Sequence, residues 1–148
     1  MDKKKVLQKL IKYQDNLVVD LQRSVADYKT AADIDEGATI DPEDFSFQSN
    51  AIDMMNHYKA LLVQALYNRE KLDSFTEIPS KRVLPGALVE TESMIFFIGI
   101  PTPPLPYDAG RMIFGISGET KIAQMMRNKK VGQSFNYGKS RLTIKNIL

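Results

Sequence analysis

Carboxylates are concentrated in one short part of the sequence. Between Thr30 and Tyr58 there are seven acidic residues and no lysine or arginine, and six of the seven fall within the twelve residues from Asp33 to Asp44. Hard divalent cations such as Mg²⁺ take oxygen ligands, often only one or two protein carboxylates, with water or a substrate completing the shell. We therefore expect this segment to lend carboxylates to a metal ion that another molecule also holds.

The same acids allow a purely structural interpretation. Asp41, Glu43 or Asp44 would face the positive end of a following helix and cap it. Capping needs one or two acids rather than six, so the cluster as a whole favours a functional role. It is not a self-contained calcium loop, because Gly37 comes too early and the twelfth position is Asp44 rather than glutamate. Phe45 and Phe47 beside the acids could pack the bend closed or contact a partner, and packing is the expected role.

The distribution of glycine and proline divides the chain into two parts, the first of which contains the acidic segment. Residues 1–78 contain one of each, Gly37 and Pro42, whereas residues 79–148 hold the other seven glycines and six prolines. Both residue types interrupt helices, so the first part is predicted to be helical with one interruption. The second part is predicted to be a compact unit of strands and turns, and the two ranges are the predicted domains.

Apolar residues recur three and four positions apart on each side of the interruption, which predicts one apolar face on each of two helices. The first face comprises Leu7, Leu10, Ile11, Leu17, Val18, Leu21, Val25 and Tyr28, with polar Gln14 and Ser24 between them. The second comprises Ile52, Met55, Tyr58, Leu61, Leu62, Ala65, Leu66 and Leu72. An antiparallel hairpin, or coiled coil, is expected because each face then buries the other. Helices of roughly 28 residues would be roughly 40 Å long.

The second part predicts an antiparallel sheet with one short helix, and hence an α+β fold for the chain. The predicted strands are residues 87–90, 94–100, 111–116, 134–137 and 141–147, the last two joined as a closing hairpin. The predicted helix is Lys121 to Arg127, capped by Thr120. The proline-rich residues 101–106 are predicted to form a stiff extended loop.

Composition excludes several classes of function. The chain has 148 residues, 43% of them hydrophobic, with no cysteine and only one histidine, His57. Thiolate chemistry and Cys-ligated metals are therefore excluded, and a His-rich metal site or a conventional Ser/His/Asp triad is hard to assemble. No apolar run approaches the roughly 18 residues of a membrane span, and the N-terminus is too polar for a signal peptide, so a cytoplasmic location without a membrane partner is expected.

The C-terminal residues have the opposite charge bias to the acidic segment. Residues 111–148 contain eight basic residues and one acid, Glu119, a net charge of +7. Such a bias suits an acidic protein surface or a nucleic-acid backbone, although a solubilising surface explains it equally well.

The C-terminal residues also carry a resemblance to a known family. The run from Ile116 to Phe135 resembles the signature of the C-terminal domain of Gre-type (GreA/GreB) bacterial transcript cleavage factors. In that family a strand ends in Ile-Ser, a Ser-Pro opens a short helix, and Gly-Lys-Lys-Val-Gly-Asp leads into the last hairpin. Here Thr120-Lys121 stands for the Ser-Pro, and Asn128 stands for the glycine at the helix end, where we expect a left-handed conformation.

The resemblance covers residues 83–148. Residues 83–89 are similar to the family's opening strand and residues 142–148 to its last. The N-terminal half agrees in architecture, a long helical hairpin, more than in sequence. The resemblance implies an FKBP-like C-terminal domain that docks on RNA polymerase and a hairpin that enters the secondary channel of the polymerase.

In the family, carboxylates at the hairpin tip help hold the second catalytic Mg²⁺ of the polymerase, which then hydrolyses a backtracked transcript. The chain would therefore be no enzyme itself and would have no cofactor of its own, only a Mg²⁺ shared with the polymerase. Indirect contact with the RNA or DNA of the elongation complex is also implied, and "DNA binding" is a function associated with such factors.

The positions of the acids depart from the family pattern. If Asn50-Ala51 is matched to the family's Asn-Ala, serines (Ser46 and Ser49) occupy the positions of the family's Asp and Glu. The carboxylates available at the same spacing of three lie earlier. Asp41 and Asp44, nearest the second helix, are the first choice of metal ligands, and Asp33 and Glu36 are the second.

Three alternatives remain open. A Gre-like channel binder could inhibit or modulate the polymerase without stimulating cleavage. A peptidyl-prolyl isomerase-like chaperone would need an aromatic-lined pocket, to which Phe96, Phe97, Tyr107 and Phe114 are the candidate contributors. An adaptor that binds another helical protein through its hairpin would leave an apolar helix face exposed.

Overall fold

The computed structural model describes residues 1–33 and 41–148 and has an α+β fold. Two long helices come first, α1 (Lys3–Ala32) and α2 (Pro42–Asp73). A small sheet with one short helix follows, as the sequence predicts. Within the acidic segment, residues 34–40 lie outside the described residues.

Helices α1 and α2 pack against each other in antiparallel directions. The Gln14 Nε2 atom donates a hydrogen bond to the Ala65 carbonyl oxygen at 3.0 Å. Farther along the pair, the rings of Tyr28 and Tyr58 stack with centroids 5.5 Å apart. Contacts later in α1 thus reach residues earlier in α2, which confirms the predicted hairpin.

The buried face of α2 is narrower than the sequence predicts. Its buried and half-buried positions follow one another at alternating spacings of four and three, as in a coiled-coil heptad. These positions include Ala51, Met55, Tyr58, Leu62, Ala65 and Leu72. The prediction was wrong for Ile52, Leu61 and Leu66, which are 38%, 42% and 47% exposed. Each of these three residues is the sequence neighbour of a seam residue. In a seam that repeats every 3.5 residues, such neighbours lie on the flanks of the helix, where the partner helix does not cover them.

The strands are short and form two sheets. They are β1 (Leu88–Glu90), β2 (Met94–Ile98), β3 (Leu105–Asp108), β4 (Arg111–Ile116), β5 (Ser134–Tyr137), β6 (Ser140–Thr143) and β7 (Asn146–Ile147), with helix α3 (Lys121–Met126) between β4 and β5. The larger sheet has the order β3-β4-β2-β1-β7, and β5 pairs with β6 in a separate hairpin. All pairs are antiparallel except β2 with β4, which is parallel.

Two details correct the predicted strands. The end of the proline-rich stretch is not only a loop, because Leu105 and Pro106 pair with β4 as the start of an edge strand, where the missing N–H of proline is tolerated. The predicted last strand, residues 141–147, is divided into β6 and β7. Between them, the Ile144 N–H donates to the Gln133 carbonyl oxygen, so the chain leaves one sheet before it joins the other.

Successive side chains of a strand point to opposite faces of the sheet. In the larger sheet, both faces are covered by other parts of the chain. Val89, Phe96 and Ile98 pack with α3 and the β5-β6 hairpin in one cluster. Leu88 and Phe97 belong to a second cluster, on the other face of the sheet, which also holds residues from the ends of α1 and α2. That second cluster includes Val6, Leu7, Leu10 and Leu72.

Contacts divide the chain into two compact units. One unit comprises Met1–Ile11 and Glu70–Leu148, and the other comprises Lys12–Arg69. The first unit therefore contains the sheets together with the two helix ends that cover one of their faces. The second contains most of the hairpin and the described acids of the bend.

Candidate functional site: an acidic helix start and a basic groove

Asp41 caps the start of α2. Its Oδ1 atom accepts a hydrogen bond from the Glu43 N–H at 3.3 Å, and its carbonyl oxygen accepts one from the Phe45 N–H at 3.0 Å. Pro42 follows as the first helical residue, where its missing N–H costs nothing. The predicted capping role of the acids is thus confirmed for Asp41, and the cap fixes its carboxylate at the helix N-terminus.

Two further carboxylates share this helix end. Glu43 and Asp44 lie in the first turn of α2, where negative charge is favourable beside the helix dipole. Both side chains, like Asp41, are exposed. None of the three forms an ion pair with a residue that the structure describes. Asp41 and Asp44 are three positions apart, so one exposed helix end presents both first-choice carboxylates.

Asp33 lies at the other side of the bend, directly after the C-terminal end of α1. It follows the last residue of α1, and its N–H donates to the carbonyl oxygens of Lys29 and Thr30. A carboxylate at a helix C-terminus meets the negative end of the dipole. Its second-choice partner, Glu36, and Asp35 lie outside the described residues, so the Asp33 and Glu36 pair stays a prediction.

The aromatic residues beside the acids are exposed. Phe45 is 62% and Phe47 is 64% exposed, so the prediction that they pack the bend closed was wrong. Both lie in the first turns of α2, ahead of Ala51, which is the first buried residue of the seam. Large apolar side chains therefore stand next to the carboxylates of Asp41 and Asp44 in the sequence and on the surface.

The described acids do not make a closed metal site. In residues 1–33 and 41–148, no group of three or more His, Asp or Glu side chains is arranged to hold a metal ion. What the start of α2 offers is a pair of exposed carboxylates on a rigid helix end. Chemically, such a pair can add oxygen ligands to an ion whose other ligands come from elsewhere.

A groove in the C-terminal part gathers basic side chains. It has a volume of about 970 Å³ and runs between residues 79–84, the segment that follows α3, and β7. Its basic lining residues are Lys81, Arg82, Arg127, Lys129 and Lys130. No Asp or Glu side chain lines it, and none of the five cations pairs with a carboxylate in the described part of the chain.

The other basic residues of the C-terminal segment are partly neutralised. Arg111 forms a bidentate pair with Asp108, with the Nη2 atom 2.7 Å from Oδ2 and the Nε atom 2.8 Å from Oδ1, and it also bonds Glu90. Hydrogen bonds from Arg111 hold the pKa of Asp108 below its ordinary value. Lys145 Nζ lies 3.3 Å from the Glu92 carboxylate. The excess positive charge in this segment is therefore not one continuous face.

Sequence reasoning missed two residues of the groove. Lys81 and Arg82 lie in a stretch predicted only as a linker. They lie outside residues 111–148, the segment for which the positive charge was noted. The signal that could have found them is the pair itself, because adjacent Lys81-Arg82 stands between Pro79 and Pro85 in a stretch without acids.

Two predictions concern the ends of helix α3: the cap at Thr120 and the left-handed conformation of Asn128. The Thr120 Oγ1 atom accepts from the Ala123 N–H at 3.3 Å, which confirms the predicted cap. The left-handed conformation predicted for Asn128 was wrong, because the only described non-glycine residue with positive φ is Ala109. The helix instead continues into a turn in which the Lys129 N–H donates to Met126, and the left-handed residue is Gly132.

The four aromatic residues of a hypothetical isomerase pocket do not come together. Phe96 and Phe97 are both fully buried, on opposite faces of β2 and in different core clusters. Phe114 packs with Phe96, whereas Tyr107 packs with the cluster of Phe97. These side chains fill the two cores, and a pocket lined by all four is not formed.

Comparison with known proteins adds no family assignment. No model of a protein family and no curated protein matches the chain. Within the described ranges, no helix is both long enough and apolar enough to cross a membrane.

Proposed function

We propose that the chain is a Gre-like transcription factor that binds RNA polymerase and acts in its secondary channel. In this proposal the FKBP-like C-terminal domain docks on the polymerase, and Asp41 and Asp44 add ligands to the second catalytic Mg²⁺. The polymerase then hydrolyses the 3′ end of a backtracked transcript. The chain is a cofactor of the polymerase and not an enzyme, and its location is that of the polymerase, the cytoplasm.

One observation carries the proposal: three exposed carboxylates, none of them in an ion pair with a described residue, lie at the start of a long helix in an antiparallel hairpin. Asp41 caps α2 and Glu43 and Asp44 lie beside the helix dipole, yet all three carboxylates stay exposed to an ion held by another molecule. The resemblance of residues 83–148 to the family's C-terminal domain supplies the identity of the partner.

The chemistry required of this chain is modest. In two-metal hydrolysis one ion activates the attacking water and the other stabilises the leaving oxygen. The polymerase contributes the remaining ligands and the RNA, so the factor needs to bring only carboxylate oxygens and negative potential. Exposed acids on a rigid helix end meet that requirement, because the helix fixes their positions before binding.

Transcript cleavage tests the proposal. A stalled, backtracked elongation complex is incubated with the wild type and with the Asp41→Asn, Asp44→Asn variant, and the RNA length is followed. We expect shortened RNA with the wild type and a loss of about 100-fold in rate with the variant, the scale of a lost catalytic group. Asparagine caps helices as well as aspartate does, so the variant removes charge and preserves the helix start.

A matched control removes the same charge elsewhere on the hairpin. Asp20→Asn, Asp27→Asn changes two exposed acids of α1 and should cleave as the wild type does. Asp33→Asn, Glu36→Gln tests the second pair of acids. Cleavage that survives both the Asp41/Asp44 and the Asp33/Glu36 substitutions would contradict the proposal, whereas slowed elongation without cleavage would identify a modulator of the polymerase.

A second candidate function is an adaptor, and the outer surface of α2 favours it. Apolar side chains stand exposed there at helical spacing, among them Phe45, Ile52, Val63, Leu66 and Tyr67. An adaptor predicts that Val63→Glu, Tyr67→Glu abolishes binding of a helical partner protein while Asp41→Asn, Asp44→Asn does not. The polymerase-channel proposal predicts the opposite for transcript cleavage: Asp41→Asn, Asp44→Asn abolishes it, and Val63→Glu, Tyr67→Glu does not.

A further inference from the structure

The groove beside α3 has the chemistry of a binding site. Five cations line one concave surface: Lys81, Arg82, Arg127, Lys129 and Lys130. Like charges repel when they are gathered without counter-charges, and no carboxylate of the described residues lies within ion-pair distance of these five. A negatively charged ligand would relieve that repulsion.

The groove also exposes apolar surface between its cations. Leu84 is 50% exposed and Val131 is 57% exposed, and Pro79 and Leu148 also line the groove. Burying exposed aliphatic surface is favourable at about 25 cal/mol per Å². A ligand that fits this groove therefore carries apolar groups as well as negative charge.

This combination favours a protein segment over a nucleic acid. Single-stranded nucleic acids are usually bound by stacking their bases on aromatic side chains along a basic track. Among the described residues, no aromatic side chain lines the groove. An extended peptide that alternates acidic and aliphatic side chains supplies both of the groups that the lining would bind.

The edge strand in the groove limits how such a peptide can bind. β7 is only two residues long, and the Ile147 N–H is already satisfied by Asn146 Oδ1 at 2.9 Å. Short edges with satisfied N–H groups resist the addition of another strand. The ligand would therefore be held by its side chains and not by a continued sheet.

We propose that the groove formed by residues 79–84, 127–131 and 146–148 binds an extended segment of a partner protein that carries carboxylates and aliphatic side chains. The carboxylates pair with the five cations, and an aliphatic side chain packs on Leu84 and Val131. This inference goes beyond the proposed function, because it involves none of the carboxylates at the bend and holds for a partner other than the polymerase.

A defined peptide tests the inference with the full chain. The probe is a fluorescein-labelled 12-residue peptide of alternating Glu and Leu, and its binding is measured by fluorescence anisotropy. Two comparison peptides replace every Leu with Ser or every Glu with Gln. We expect each comparison peptide to bind about tenfold more weakly than the probe, because each lacks one of the two contacts.

Substitutions locate the binding in the groove. Lys129→Glu, Lys130→Glu should weaken binding of the Glu/Leu peptide by about 100-fold and should bind a Lys/Leu peptide better than the wild type does. Lys121→Glu, Lys139→Glu makes the same charge change at two exposed lysines outside the groove and should weaken binding less than threefold. The gain of binding to the Lys/Leu peptide distinguishes a lost site from a misfolded variant.

Three outcomes would overturn the inference. The first is equal weakening by the groove and control substitutions, which would indicate nonspecific attraction. The second is equal binding of the Glu/Leu and Glu/Ser peptides, because the apolar contact would then be absent. The third is tighter binding of a 12-nucleotide oligothymidylate than of the Glu/Leu peptide, lost with Lys129→Glu, Lys130→Glu, which would assign the groove to a nucleic acid.

Discussion

Asp41 caps α2 and is also one of the two carboxylates that we propose as metal ligands. Its carboxylate satisfies the Glu43 N–H at the start of α2 and remains exposed. The sequence predicted the cap, because an acid directly before a proline and two further acids is typical of a helix start. The sequence also predicted Asp41 as a metal ligand, and that role stays a prediction, since the remaining ligands would belong to another molecule.

The ion pair of Asp108 with Arg111 is expected to make the stability of the fold depend on pH. Hydrogen bonds from Arg111 lower its pKa in the folded chain. A carboxyl group with a lowered folded pKa contributes stability above its unfolded pKa, about 3.9, and that contribution is lost as the pH falls through the folded pKa. We expect Asp108→Asn to have a lower thermal unfolding midpoint than the wild type at pH 7, with a difference that shrinks as the pH falls below about 3.9.

The matching control for Asp108 is Asp20→Asn, which removes an exposed acid without an ion pair to any described residue. Its midpoint should stay close to that of the wild type throughout the pH series. A difference between Asp108→Asn and the wild type that keeps the same size from pH 7 to pH 2.5 would show that the pair with Arg111 is not the cause.

At the scale of elements, the hairpin was predictable and the exact seam of α2 was not. Apolar residues occur on more than one side of α2. Spacing alone therefore placed Ile52, Leu61 and Leu66 on the buried face, although they are exposed. The structure selects the narrower heptad repeat, because α1 covers only one seam. The strands show a similar limit, since the parallel pairing of β2 with β4 joins segments that are distant in sequence.

Gln14 is a polar residue in the buried seam of the hairpin. Its Nε2 atom bonds the Ala65 carbonyl oxygen, but its Oε1 atom is buried without a partner in the described residues. A buried polar atom without a hydrogen bond is unfavourable, so Gln14→Leu should increase the free energy of unfolding by about 1 kcal/mol. Urea denaturation measures this change.

The control at the element scale is Gln8→Leu, an exposed position on the same helix, which should leave stability unchanged. A loss of stability in Gln14→Leu would mean that the hydrogen bond to Ala65 outweighs the unpaired oxygen. In that case the residue would serve to fix the register of the two helices, as buried polar residues do in some coiled coils.

At the scale of the whole molecule, the net charge of +2 is a cancellation. Acids dominate the segment from Asp33 to Asp44, and unpaired cations line a groove in the C-terminal part. The sequence predicted both biases. It did not predict the groove, because residues 79–84, 127–131 and 146–148 are brought together only by the fold.

We propose that the start of α2 reaches the catalytic metal of RNA polymerase, and a radical footprint tests this directly. The end-labelled chain is bound to a backtracked elongation complex in which Fe²⁺ replaces Mg²⁺, and the hydroxyl radicals formed at the metal cut nearby protein backbone. If Asp41 and Asp44 lie at the metal, cuts occur near residues 33–44 and disappear when excess Mg²⁺ is added. Cuts confined to residues 79–148, or none in a complex shown to contain the bound chain, would contradict it.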